Sequence, residues 1–149
     1  MIDVRIQPEP IDLAGALARA EASGAGAVAS FTGIVRDDGG VTELFLEHYP
    51  GVTERALGDL AAEAAGRWPL SAVTVIHRVG AMVPGDRIVL VVAASAHRQA
   101  AIEATAFLID RLKTEAPFWK RERRGETASW VEPRASDDAA AERWRSSHT

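Results

Sequence analysis

The sequence predicts an α+β fold with a mostly antiparallel sheet and flanking helices, on three observations. Apolar runs of strand length come in pairs joined by Gly- or Pro-containing turns, helical periodicity fills the gaps between pairs, and no repeat, linker or low-complexity block interrupts the chain. The 149 residues suit a single domain, residues 1–149, long enough to bury a core without disulfides or a structural metal.

Each element follows from local chemistry. "IDVRIQ" alternates as a short strand; Pro8 and Pro10 punctuate it, and "IDLAGALARAEAS" reads as a helix ending near Gly24. "GAVASFTGIVR" is a strand in which Gly33 predicts a bulge or a close approach by a neighbour. "DDGG" resembles a hairpin connection, so "VTELFLEHY" is expected as the partner strand. Pro50 and Gly51 open a helix, "TERALGDLAAEAAGRW", that Pro69 closes. "SAVTVIHRVG" and "DRIVLVVAASA" are apolar strands joined by the turn "AMVPGD". "HRQAAIEATAFLIDRLKTE" is the longest helix, stopped by Pro117 near Ala116. "FWKRERR" and "ASWVE" form a final hairpin, and "SDDAAAERW" a last helix capped by Ser136.

Composition narrows the chemistry. With no cysteine there is no disulfide, thiolate ligand, cysteine nucleophile or protein-borne persulfide, and the four histidines lack metal-ligand spacing. Neither a metal nor a resident cofactor is expected. The N-terminus lacks the pattern of a signal peptide and no apolar run approaches membrane-spanning length, so a cytoplasmic protein is expected. A net charge of −4 argues against nucleic-acid binding. Yet Arg111, Lys113, Lys120, Arg121, Arg123 and Arg124 gather six of the seventeen basic residues in one stretch, which points to a small anionic ligand.

That stretch also holds both lysines of a chain with fifteen arginines. Only lysine can lose its proton in a protein and act as base or nucleophile. At 100° per residue, Lys113 falls within about 40° of Ile102, Ala106 and Ile109, an apolar stripe on which partial burial would lower its pKa. The alternative is a lysine snorkelling at a helix C-terminus. Lys120 shares a strand face with Phe118 and Glu122 if alternation holds; alternatively it is a solvated edge-strand lysine.

"SAHRQ" starts the long helix, where exposed backbone N–H groups beside His97 and Arg98 make a phosphate seat, unless Ser95 simply caps the helix. Sixteen residues separate His97 from Lys113, about 24 Å along a helix, too far for one small ligand within one subunit. Either the two features are unrelated, or one site is assembled from two chains.

In their order, "FTGIVR", "LEHYPGVTERAL", "RWPLSAVTVIHRVG", "PGD", "SAHR", "LKTEAPFWKRE" and "WVEPR" resemble the catalytic (large) subunit family of molybdopterin synthase, from about Ile2 to Trp144. The resemblance implies an α/β hammerhead-type fold and a homodimer within a heterotetramer. In that assembly a small ubiquitin-like sulfur-carrier subunit inserts its C-terminal Gly-Gly thiocarboxylate. Two sulfur transfers then convert cyclic pyranopterin monophosphate (precursor Z) into molybdopterin, the dithiolene ligand of the molybdenum cofactor. The partners so implied are the carrier, a second copy and the pterin phosphate substrate; the missing cysteines fit sulfur that arrives on the carrier.

Residue by residue, the resemblance makes Lys113 and Lys120 the catalytic lysines. It makes Arg36, His97, Arg98, Arg121 and Glu122 substrate-binding positions and Arg134 a further anion contact. Phe31 and Ile109 are carried over as pocket lining, with core packing as their ordinary alternative. Ile34 stands where the family often has lysine, and "DDGG" is a short form of a loop that is often longer. Two other readings compete: a non-catalytic dimeric module that binds a small phosphorylated ligand, and a structural dimer subunit that uses its basic strand for protein contact.

Overall fold

A computed structural model describes residues 1–131 and 144. Along the chain run β1 (Ile2–Gln7), α1 (Leu13–Glu21), β2 (Ala27–Ile34), β3 (Glu43–His48), α2 (Val52–Arg67), β4 (Leu70–Arg78), β5 (Gly80–Met82), β6 (Arg87–Ser95), α3 (Arg98–Glu115), β7 (Phe118–Arg124) and β8 (Thr127–Trp130). The helix expected over residues 136–144 lies outside the described residues, apart from Trp144.

The strands form two four-stranded sheets, ordered β1-β4-β6-β2 and β5-β3-β7-β8. Pairing is antiparallel except between β1 and β4. The fold class is therefore the α+β arrangement expected from the alternating runs.

β4 and β6 carry the core, because period-2 alternation with both faces covered buries every other residue on each side. On one face Val73, Val75, Val89 and Val91 meet Leu57 of α2 and Phe107 and Leu108 of α3. On the other, Ala72, Ile76, Leu90 and Val92 meet Ala16 and Ala20 of α1. A smaller cluster of Val35, Leu44, Leu46 and Met82 underlies the second sheet.

The helix starts are chemically marked. Asp12 accepts the Gly15 N–H at 3.0 Å to cap α1, and Glu54 accepts the Gly51 N–H at 2.7 Å, where Gly51 sits at φ +87°. Ser95 does not cap α3: its hydroxyl donates to the Pro69 carbonyl at 2.8 Å, and His97 takes the N-cap position without a side-chain cap bond.

Three expectations need correction. β3 does not pair with β2; it lies in the second sheet between β5 and β7, and residues 38–40 form a 3-10 turn that passes the chain from one sheet to the other. Only part of "AMVPGD" is turn, since Ala81 and Met82 pair with Phe45 and Leu44. Ile102, placed on the buried stripe of the long helix, is 58% exposed. The buried face of α3 is instead Ala101, Ala104, Thr105, Phe107, Leu108 and Leu112, because α3 packs on β2, β6 and α2 together. Gly33 does mark an irregularity, for the β2–β6 register shifts between Gly33 and Ile34.

Candidate active site

Where the C-terminal end of α3 meets the second sheet, the chain forms a half-open cavity of about 410 Å³, within the range of small-molecule sites. Pro117 ends α3, and the Ala116 N–H still donates to the Leu112 carbonyl, so Lys113 stands in the last helical turn at the mouth. Strand alternation then turns Phe118, Lys120, Glu122 and Arg124 of β7 toward the same space. Arg36 and Asp38 line it from the segment between β2 and β3, and His77 from the end of β4.

Four cations, Arg36, Lys113, Lys120 and Arg124, thus face two carboxylates, Asp38 and Glu122. The excess of positive charge suits an anionic ligand. Arg36 Nη2 reaches Asp38 Oδ2 at 3.0 Å, and Arg124 Nη2 lies 3.6 Å from Glu122 Oε1. Arg124 Nε also donates to the Gly39 carbonyl at 2.9 Å and so holds the turn against β7.

The basic stretch does not act as one cluster. Arg111 is bound to Glu63 and Glu115 on the α2–α3 side and packs over Phe107. Arg121 points to the opposite face of β7, with its guanidinium 4.9 Å from the Phe45 ring centroid and 5.7 Å from that of Trp130. Arg123, an odd-numbered neighbour on that strand, lies beside Glu43. Arg121 is therefore not brought to the cavity of its own chain.

Of the remaining positions singled out in the sequence, His97 and Arg98 are exposed at the other end of α3. Phe31 is 38% exposed on β2, and Ile109 packs against the main core cluster; neither lines the cavity. Arg134 lies outside the described residues. The burial expected for Lys113 is also reversed: Lys113 is exposed in the single chain and Lys120 is half-buried. The 100° arithmetic placed Lys113 beside Ile102 as well as Ala106 and Ile109; Ile102 is exposed while Ile109 reaches the core, so Lys113 stands at the solvent side of the packed face.

His77 was not singled out. It is 6% exposed, its Nδ1 lies 2.8 Å from the Arg78 carbonyl, and its ring stacks on Phe118. Burial lowers its pKa to about 4, with the charges of Lys113 and His48 acting in the same direction and the Arg78 hydrogen bond opposing them. A polar residue inside the apolar run "VTVIHRVG" was the available signal.

Comparison with known proteins identifies the lineage. The MoaE protein family model matches residues 6–115. A molybdopterin synthase catalytic subunit from Mesorhizobium japonicum is 54% identical over 149 residues, covering 97% of this chain and 94% of that protein. Among solved structures, the molybdopterin biosynthesis MoaE protein from Burkholderia ambifaria superposes with TM-score 0.85 at 46% identity, covering 97% of this chain and 99% of that one. A chain from the complex of subunits 1 and 2 of molybdopterin-converting factor from Helicobacter pylori, 21% identical, shares the fold with TM-score 0.75, covering 89% of this chain and 91% of that one. The chain belongs to the MoaE protein family, whose curated members are molybdopterin synthase catalytic subunits, enzymes of molybdenum cofactor biosynthesis.

Proposed function

We propose that this chain is a sulfurtransferase that converts cyclic pyranopterin monophosphate (precursor Z) into molybdopterin, with sulfur taken from the C-terminal thiocarboxylate of a small ubiquitin-like carrier. The observation that carries the reading is the shared cavity of Lys113 and Lys120, two amines from different elements, flanked by Arg36 and Arg124. Thiocarboxylate attack on a carbon centre builds and sheds negative charge on oxygen, which an ammonium stabilises, while a neutral amine moves protons. Lys113 and Lys120 supply both, and the arginines suit the phosphate through paired, charge-assisted hydrogen bonds.

The helical 24 Å or so between His97 and Lys113 supports a site shared by two copies, in which His97 and Arg98 of one chain face the cavity of the other. We expect the carrier's extended tail to approach along an edge of the second sheet, whose outer strands are β5 and β8, next to the basic strand β7. The Helicobacter pylori relative, solved with its other subunit, supports a small-subunit partner.

Incubation of the protein with thiocarboxylated carrier and precursor tests the reading. Dithiolene product is expected; precursor binding without product would favour a non-catalytic module for phosphorylated ligands.

A further inference from the structure

The cavity is rich in donors and poor in acceptors. Arg36, Lys113, Lys120 and Arg124 can only donate while charged, and the two carboxylates already face guanidinium groups, Asp38 with Arg36 and Glu122 with Arg124. A pterin presents ring and exocyclic N–H groups beside its carbonyl, and with both carboxylates drawn toward guanidinium groups a further, uncharged acceptor is needed to pair those donors, which are costly to leave unpaired once water is excluded.

His77 supplies what is missing. A backbone carbonyl only accepts, so the 2.8 Å contact to Arg78 puts the imidazole proton on Nδ1. Burial keeps the ring neutral near pH 7, and the electrostatic influence of Lys113 on α3 and His48 on β3 acts in the same direction; Lys120 on β7 lines the same cavity. Its Nε2 then carries a lone pair. Among the described residues nothing donates to that atom, and the space His77 borders is the cavity. The Phe118 stack, 3.9 Å between centroids, fixes the plane of the ring and so the direction of the lone pair.

We propose that His77 is a substrate-contacting specificity residue whose Nε2 accepts a hydrogen bond from the N–H edge of the fused-ring substrate. The assignment rests on the pterin reading above and adds to it a recognition element for the ring as distinct from the phosphate. A neutral acceptor suits this role better than a carboxylate, which the surrounding arginines would capture.

Two variants separate the nitrogens. In His77→Asn the amide can still donate to the Arg78 carbonyl but nothing occupies the Nε2 position, whereas His77→Gln can place an amide oxygen there. With thiocarboxylated carrier and cyclic pyranopterin monophosphate, His77→Asn is expected to raise KM for the precursor about tenfold, the scale of one lost buried hydrogen bond, with kcat and carrier affinity little changed. His77→Gln should recover most of that loss. Equal damage by both variants, a loss confined to kcat with a displaced pH profile, or weakened carrier binding would each overturn the assignment. Imidazole 15N NMR on the unaltered protein reads the same contact: the Nε2 resonance should move on addition of precursor, and an unmoved resonance overturns it. Absence of dithiolene product from the unaltered enzyme would instead defeat the parent reading.

Discussion

His77 and Phe118 stack with ring centroids 3.9 Å apart and planes 21° from parallel, so a strand of the first sheet is tied to a strand of the second at the cavity wall. The contact has a thermodynamic cost that pH reveals. In the folded chain burial holds the His77 pKa at about 4, against 6.5 unperturbed.

Between those values the unfolded chain binds a proton that the folded chain refuses, so stability falls as pH drops from about 6.5 toward 4 and is independent of this group above 7. The expected loss between pH 7.5 and pH 5 is about 2 kcal/mol, the 1.5 pH units between 6.5 and 5 at 1.36 kcal/mol each. Urea denaturation at the two pH values measures it. The slope should flatten in His77→Gln, and an unchanged slope in that variant would assign the effect elsewhere.

Gly33 permits the close packing of β2 on β6. A Cβ there would lie 2.7 Å from Val89 Cγ1, and Val89 is itself buried and stiff. Gly33→Ala is expected to destabilise the fold by about 1–3 kcal/mol, the usual scale of overpacking, read as a lower urea midpoint with an unchanged m-value.

Asp38 holds Arg36 in the place where a ligand anion would compete. The pair is exposed, so it is worth only about 0.2–1 kcal/mol. Asp38→Asn should lower KM for the phosphorylated precursor by up to about fivefold at low salt, with the gain shrinking as ionic strength rises. A raised KM would show that Asp38 contributes to binding.

The two ends of α3 give a separate test of the shared site. His97→Ala and Lys113→Ala are each expected to be nearly inactive alone, while exchange of subunits between them should restore about a quarter of wild-type turnover, as half the dimers then carry one intact site. No recovery would place each site within one chain.

Much of this was legible in the residues, and the failures have physical causes. Lys120, Phe118 and Glu122 share a face because alternation along a strand is geometric and survives any tertiary context. The burial of Lys113 was misjudged because α3 is rich in small residues, so Ala101 and Ala104 are buried while Ile102 is exposed, and hydropathy alone does not find the packed face. The partnership of β3 was misread for another reason. A short turn predicts a local hairpin, but β3 pairs with β7, where Leu46 meets Lys120 across a long stretch of chain that no nearby residue reports. Arg121 illustrates the same limit, since its ring partners Phe45 and Trp130 come from two other strands.

Sulfur delivery, on the proposed reading, requires an amine able to exchange its proton at the end of α3 and over this cavity. Single-turnover product formation by Lys113→Arg, with thiocarboxylated carrier and saturating precursor, tests it most directly, because the substitution keeps the charge and removes the proton-transfer capacity. A fall of about 100-fold or more in the rate, with precursor affinity retained, is the predicted result; turnover close to wild type would contradict it.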